Sequence, residues 1–192
     1  MKKLFLALTC FISISSCDKK YPIDQLPDDT SLPTLTYPLA SFSSANKFIA
    51  FGDTLPSSSQ SKGYDIFLAD TNQYVASACS GIVTSVTADA AGNNSIVVRY
   101  KPNSIYSFLY SGINHVMVQV SDTLTPGTLL GKVGSNHEIY FAVVKNNTEV
   151  ICPQNIGSPS FNTAIQLAID KHNSFNTTDS VFDACLFETL PK

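Results

Sequence analysis

The sequence predicts a mainly β domain of antiparallel strands, followed by one helix. From about Asn46 onward, short runs of β-branched and aromatic residues follow one another closely. Residues that favour turns separate these runs, and the sequence contains no repeat of the solenoid or propeller type. Many short strands at close spacing are typical of an antiparallel all-β domain.

Nine segments have the composition of strands. They are Lys47–Phe51, Tyr64–Leu68, Tyr74–Ala78, Gly81–Thr87, Ser95–Tyr100, Tyr106–Tyr110, His115–Val120, Leu129–Val133 and Glu138–Val144. The turn candidates between them are rich in Gly, Pro or Asn, which fit the backbone angles that turns require. These candidates are Ala91–Asn94, Lys101–Asn103, Thr125–Gly127 and Lys145–Asn147.

A single helix is predicted near the carboxyl terminus. Ser158 is a suitable N-cap residue, and Pro159 fits the first helical position. Apolar residues recur at helical spacing and form one face, which we expect to pack against the sheet: Phe161, Ala164, Ile165, Ala168 and Ile169. The apolar residues between Asn173 and Lys192 allow one further strand.

Composition narrows the classes of function. The chain has 192 residues, which is enough for one ordinary domain with tails. Charged residues make up 14% and hydrophobic residues 44%, so disorder over the whole length is excluded. The net charge of -3 argues against a nucleic-acid partner, because phosphate contacts need clustered Lys and Arg.

The amino terminus combines a positive charge, a short apolar run and a cysteine. Met1–Lys3 is positively charged, and the short apolar run Leu4–Ile14 follows it. The run ends in Ile-Ser-Ser-Cys17, which resembles the lipobox, whose cysteine receives acyl chains such as palmitate and becomes the first mature residue. A simple secretory signal that contains Cys17 is the alternative. The sequence therefore predicts a lipid-anchored protein of the bacterial cell envelope, facing the periplasm or the surface.

These features divide the chain into four parts. Residues 1–16 are the predicted signal peptide, and residues 17–45 are the lipidated cysteine with a proline-rich tether. Residues 46–155 form the domain, and residues 156–192 form the helix and tail. The envelope is oxidising, so one disulfide is expected, with Cys152–Cys185 preferred because it would fix the tail. The other pairings with Cys79 remain open.

Several segments resemble one known family. Residues Tyr110–Gly134 follow, without a gap, the pattern Y-a-H-L-x-x-x-x-V-x-x-G-x-x-V-x-x-G-x-x-I-G-x-x-G. Upstream blocks are Phe51-Gly52, Gly63–Ile66 and Val75–Thr84, and Glu138–Val143 stands where the family has H-L-H-F-E-V. The pattern is similar to that of the lysostaphin/LytM-type zinc metalloendopeptidases. The resemblance covers about 100 residues, from Phe51 to Pro153, and implies a β sandwich or barrel of the duplicated hybrid motif type.

The resemblance also implies where the zinc chemistry would be, and most of it is missing. The family's three metal positions fall on Ser61, Asp65 and Tyr140, and its two assisting histidines fall on Gly112 and Glu138. A catalytic zinc needs about three protein ligands, normally His, Cys or carboxylate. Only Asp65 meets that requirement. The chain is identified as a degenerate member, for which no bound metal or other cofactor is expected.

The remaining donors do not replace the lost ones. His137 would share a strand face with Ile139 rather than with Glu138, the direction of His115 cannot be read from the sequence, and His172 suits the end of the helix. Asp65 and Glu138 fall short of the six to eight oxygens that Ca²⁺ usually gathers. Groove contacts are instead expected from Asp65, Tyr110, Glu138 and Tyr140.

Three functions follow as hypotheses. The first is a non-catalytic envelope lipoprotein that binds peptidoglycan or regulates an envelope protein such as a cell-wall hydrolase, and is held at the membrane through Cys17. The second is an active zinc endopeptidase that cleaves peptidoglycan cross-links with an atypical ligand set. The third is a structural module with a filled groove. A biotinyl or lipoyl carrier is excluded, because no lysine lies beside Met117.

Overall fold

The computed structural model describes residues 27–36, 38, 45–49, 51 and 61–175. These residues form one sheet of ten strands and a long helix near the carboxyl end. Every pair of strands within the sheet is antiparallel, as the sequence predicts. The predicted fold class is therefore confirmed.

The strands are short, and many are joined by tight turns. Their bounds are β1 Ala45–Ile49, β2 Tyr64–Leu68, β3 Tyr74–Ala76, β4 Gly81–Ala88, β5 Asn94–Arg99, β6 Tyr106–Asn114, β7 Thr123–Leu124, β8 Leu129–Val133, β9 Glu138–Lys145 and β10 Glu149–Ile151. The main order across the sheet is β1-β2-β9-β6-β5-β4-β7. Strand β8 pairs with β3 and β6, and β10 pairs with β9. This order places β9 between β2 and β6, where the family motifs meet.

One predicted strand is wrong. Residues 115–120 are not a strand, although their β-branched composition favours one. The backbone is left-handed at His115, with φ 46°, and again at Ser121, with φ 79°, so the extended conformation is interrupted on both sides. Only the short strands β7 and β10 were absent from the predicted set.

Two predicted turns show the expected chemistry. Gly127 has φ 87°, and the amide of Thr128 donates to the carbonyl of Thr125 over 3.0 Å, which closes the turn after Pro126. Asn146 and Asn147 have φ 53° and 59°, the left-handed pair that a tight hairpin turn requires. That turn joins β9 to β10.

Helix α1, Pro159–Phe175, packs against β1 and covers the core. The Ser158 hydroxyl accepts a hydrogen bond from the amide of Phe161 over 3.1 Å, which confirms the predicted cap. The predicted apolar face is buried, and Phe161 lies 6.4 Å from the rings of both Tyr64 and Phe141. No helix in the described part of the chain has the length and apolar character that crossing a bilayer demands.

Part of the predicted tether is bound to the domain. Asp29 forms a parallel bridge with Ser104, and Leu35 forms one with Gly157. Leu35 is fully buried, and the amide of Thr36 donates to the carbonyl of Ala78 over 2.6 Å. The described residues between 27 and 38 are therefore a strap along the domain rather than a free linker.

The cysteines of the domain differ in state. Cys79 is a free, buried thiol, whereas Cys152 is disulfide-bonded. Cys185 lies outside the described residues, as does the expected strand beyond Phe175. The pairing Cys152–Cys185 stays a prediction.

Candidate functional site

The residues at the family's metal positions lie together where β2 pairs with β9. Asp65 on β2 is directly opposite Tyr140 on β9 in the strand register. Ser61 precedes β2 by three residues, and Glu138 is the first residue of β9. Glu138 and Tyr140 are two positions apart on β9, so their side chains project to the same face of the sheet as Asp65. The pairing of β2 with β9 therefore brings Ser61, Asp65, Glu138 and Tyr140 to one site, where the sequence placed them.

The hydroxyl group of Ser61 is buried and hydrogen-bonded within this site. Ser61 is 1% exposed. Its Oγ lies 2.8 Å from Asp65 Oδ2 and 3.0 Å from the carbonyl oxygen of Gly63. The single hydroxyl proton therefore has two acceptors within reach. Ser61 serves as a donor that holds Asp65 in place, a role that needs no metal.

Asp65 and Glu138 form a carboxyl pair. Asp65 is 8% exposed, and burial raises its pKa, whereas hydrogen bonds from Ser61 and Glu138 act to lower it. Burial is the largest of these effects, so Asp65 holds a proton more readily than a surface carboxyl group would.

Tyr140 completes the site as a neutral phenol. Burial raises its pKa to about 12, and the negative charge of Asp65 adds to the effect. Its ring lies against Gly63, where a Cβ would be 2.8 Å from the nearest ring carbon. The absence of a side chain at Gly63 is what lets the ring of Tyr140 settle over the start of β2.

The position of the missing assisting histidine has lost its space as well as its side chain. Gly112 has φ 81°, a left-handed conformation that favours glycine. A Cβ placed there would overlap the carbonyl oxygen of Glu138. The Gly112 carbonyl also accepts a hydrogen bond from the amide of Gly134 over 2.7 Å. The backbone of β6 at this point is built around a residue without a side chain.

This set of donors does not fit zinc. Zinc in proteins is held by thiolate, imidazole or carboxylate ligands. Ser61 offers a hydroxyl that is already hydrogen-bonded, and Tyr140 stays protonated far above neutral pH. Of the family's three metal positions, only Asp65 carries a usual ligand. Among the described residues, no group of three or more His, Cys, Asp or Glu side chains is placed to hold a metal ion.

The histidines lie elsewhere. His115 and His137 are both exposed and both have left-handed backbones, with φ 46° and 59°. The expectation that His137 shares a strand face with Ile139 is wrong, because His137 sits in the turn before β9 whereas Ile139 is fully buried. His172 lies in α1, and its side chain is outside the described part of the structure.

Tyr110 is not a groove contact. It is 0% exposed, and its ring centroid lies 5.1 Å from that of Phe141. Its hydroxyl accepts a hydrogen bond from the amide of Ala78 over 2.9 Å. Burial holds the pKa of this phenol well above its usual range. Tyr110 therefore joins β6 to the segment after β3 from inside the core.

The predicted lipidation site, Cys17, lies outside the described residues.

A polar pocket at the ends of β6 and β8 includes Lys132 and His115. Sequence reasoning missed this pocket as a site, because a single lysine on a strand carries no recognisable spacing.

Comparison with known proteins identifies the domain. Residues 59–152 match the model of peptidase family M23. A chain of the SpoIIQ–SpoIIIAH pore-forming complex is 20% identical, with a TM-score of 0.55, and the match covers 71% of this chain and 98% of that one. A chain from a second structure of the SpoIIIAH and SpoIIQ complex is 21% identical, with a TM-score of 0.52 and coverage of 63% and 98%. These likenesses show a shared fold.

A third solved structure shares the fold only over part of its length. Csd3 from Helicobacter pylori is 19% identical, with a TM-score of 0.53, and the match covers 77% of this chain but 44% of Csd3. No curated protein sequence matches the chain. The family match spans the strands that carry Ser61, Asp65, Gly112, Glu138 and Tyr140. Residues 59–152 of this chain therefore form a domain of peptidase family M23, in which the family's metal and catalytic positions are degenerate.

Proposed function

We propose that the chain is a non-catalytic lipoprotein of the bacterial cell envelope whose M23 domain binds rather than cleaves. The observation that carries the proposal is the state of the degenerate site. Tyr140 is a neutral phenol, and Gly112 has no room for a side chain. A peptidase of this family would need a metal-bound nucleophile at this point, and the residues present do not supply its ligands.

The ligand that we propose is peptidoglycan. Asp65, Glu138 and Tyr140 offer carboxyl and hydroxyl groups at one place on β2 and β9, and Glu138 and Tyr140 are half-buried rather than sealed. Such groups can hydrogen-bond to the amides and hydroxyls of a cell-wall fragment. The chain keeps the family's framework and Asp65 but has lost the other metal ligands, which supports a role in recognition.

An envelope protein is the second candidate ligand. Two of the structural neighbours come from complexes of SpoIIQ with SpoIIIAH, so chains of this fold occur in assemblies with another protein. A cell-wall hydrolase is the class of partner that the sequence suggested. The two candidates are separated by experiment, since purified cell wall contains no such partner.

Membrane attachment belongs to the same proposal. The signal and lipobox-like sequence at residues 1–17 support a lipid on Cys17. Pro27 follows Cys17 by ten positions, and the strap begins there. A fully extended chain of that length spans about 35 Å, so the lipid would keep the domain close to its membrane. A longer reach would require the strap to detach.

The decisive test is binding of the full mature chain to purified sacculi and to envelope proteins. We expect saturable sedimentation with sacculi, weakened by Tyr140→Ala and unaffected by the matched change Tyr100→Ala outside the site. Zinc analysis and a muropeptide cleavage assay with and without chelator run in parallel. Capture of one envelope protein without sacculi would favour the partner. Binding to neither would leave a structural role, and chelator-sensitive cleavage would establish the peptidase.

A further inference from the structure

A polar pocket lies at the ends of β6 and β8, and none of its lining residues is Ser61, Asp65, Gly112, Glu138 or Tyr140. Its volume is about 170 Å³. It is formed by the loop after β2, the end of β6, the end of β8 and the turn before β9. Its polar lining consists of Thr71, Asn72, Asn114, His115, Lys132 and Ser135. The pocket therefore gathers amide, hydroxyl, imidazole and ammonium groups from four separate segments.

Lys132 contributes an ammonium to this pocket. Within the part of the chain that the structure describes, no carboxylate lines the pocket. Among the residues that the structure describes, the salt bridges of lysine are Lys101–Asp29 and Lys145–Glu149, so Lys132 has none. Its Nζ lies 5.4 Å from the ring centroid of Tyr74, which holds the ammonium over an aromatic face. In a chain of net charge -3, a lysine that forms no salt bridge with a described residue is available for an anionic ligand.

The neighbouring amide is oriented as a donor. The Oδ1 of Asn114 accepts a hydrogen bond from the amide of His115 over 2.7 Å. Its NH₂ group is thus the end left for a ligand, and Asn114 is opposite Lys132 in the register of β6 and β8. The left-handed backbone of His115, with φ 46°, turns the chain at the pocket wall. Donors and a cation therefore converge on one side of the cavity.

Two exposed apolar side chains lie on the segments that supply pocket residues. Met117 follows His115 by two residues, and its amide donates to the carbonyl of Leu130 over 2.9 Å, which holds the loop after β6 beside β8. Met117 is 50% exposed, and Leu129, the first residue of β8, is 39% exposed. An ammonium and amide donors on segments that also carry exposed apolar side chains suit a peptide with a carboxylate better than they suit an inorganic anion.

We propose that this pocket binds the carboxylate of a peptide, with Lys132 as its cation and Asn114 as a donor. The inference rests on the proposed function in one respect: it takes the peptide to be the stem peptide of peptidoglycan, whose free end carries a carboxylate. The pocket would then hold the peptide end of the cell-wall ligand. The degenerate site around Asp65 would contact another part of it.

The test is calorimetric titration of the full mature chain with a soluble muropeptide that has a free terminal carboxylate. We expect saturable binding that weakens about tenfold or more when the carboxyl groups of the muropeptide are amidated, because a charge-assisted contact is lost. Lys132→Gln should produce a loss of the same size, and Lys132→Arg should retain most of the affinity. Lys62→Gln is the matched control, because Lys62 is exposed and lies beside Ser61 instead.

Each outcome decides between the two proposals. If the wild-type chain binds the muropeptide but neither amidation nor Lys132→Gln weakens it, the pocket proposal is overturned and the proposed function stands. If Lys62→Gln weakens muropeptide binding and Lys132→Gln does not, the carboxylate of the muropeptide is bound near the degenerate site and the pocket proposal is overturned. Absence of any muropeptide binding would overturn both the pocket proposal and the choice of peptidoglycan as ligand. Because Lys132→Arg keeps the positive charge, its retained affinity would show that substitution at this position does not unfold the chain.

Discussion

Ser61 Oγ lies 2.8 Å from Asp65 Oδ2, in the place where a zinc peptidase of this fold would hold its ion. A bound cation would stabilise Asp65 as an anion, whereas burial here raises the pKa of this carboxyl group and favours its neutral form. A proton on Asp65 removes one negative charge from a site that is largely buried. Its contribution to stability therefore depends on pH.

Stability should fall with rising pH because of Asp65. Its folded-state pKa is raised above the ordinary value of 3.8, so the folded chain binds the proton more tightly than the unfolded chain does. The stabilising effect is present below pH 3.8 and is lost as the pH rises through the raised value. We expect Asp65→Asn to increase the free energy of unfolding at pH 7 by about 1 kcal/mol, and to change it little at pH 3.5.

Urea unfolding at the two pH values measures this difference. Asp28→Asn provides the control, because Asp28 is exposed and the same chemical change there should leave stability unaltered. A loss of stability in Asp65→Asn at pH 7 would show that Asp65 is needed as an anion, which would contradict the raised pKa.

Gly112 should tolerate no side chain. Gly112→Ala would impose both a left-handed conformation, at φ 81°, and an overlap with the carbonyl of Glu138. We expect a loss of about 3 kcal/mol in the free energy of unfolding. Gly92 is the matched control, since its φ is 82° but a Cβ there would meet no atom within 4 Å.

Gly92→Ala should therefore cost only about 1 kcal/mol, the conformational part alone. The difference between the two variants isolates the steric overlap. Equal losses would mean that β6 can shift away from Glu138, and that a histidine at position 112 remains structurally possible.

The strap should contribute to stability as part of the core. Leu35 is 0% exposed, and Leu35→Ala is expected to cost about 3 kcal/mol. Leu32, three residues earlier and 62% exposed, is the matched control, for which a change of less than about 0.5 kcal/mol is expected. Thermal unfolding of both variants measures the contrast. Equal losses of stability in the two variants would show that residues 27–38 are a linker and not part of the folded domain.

The spacing of the family motifs predicted correctly which residues lie together in the sheet. It did not predict the segments whose backbone is neither regular strand nor regular helix. Asp65 and Tyr140 were placed together by family spacing, and antiparallel pairing of β2 with β9 puts them opposite each other. Leu35 was not recognised as buried, because prolines on both sides and the lack of periodicity indicate a linker equally well. The bridge to Gly157 and the backbone hydrogen bonds of Leu35 with Ile156 and Ser158 show where it docks.

The loop after β6 shows the same limit. Its composition favours a strand, but His115 and Ser121 have left-handed backbones that composition does not reveal. Ser121 stands where the family pattern has a glycine, which was the available signal. Tyr110 was assigned to a groove because its motif lies near a catalytic position. Alternation along β6 was the available signal, because Tyr106, Phe108 and Tyr110 share one face whereas Ser107 and Ser111 lie on the other.

Restoring two ligands should restore the metal but not the chemistry. Ser61 is hydrogen-bonded to Asp65, and Tyr140 is opposite Asp65, so the double variant Ser61→His, Tyr140→His would surround one carboxylate with two imidazoles. Three such ligands are what a zinc site needs. We expect about one zinc per chain in the double variant after dialysis, and none in the wild type. The control adds Asp65→Ala to the double variant and should lose the zinc.

Cleavage of muropeptides should stay absent, because Gly112 leaves no room for the second assisting histidine and Glu138 replaces the first. Zinc retained by the wild-type chain would contradict the degenerate assignment, whereas cleavage by the double variant would show that the two assisting positions are dispensable.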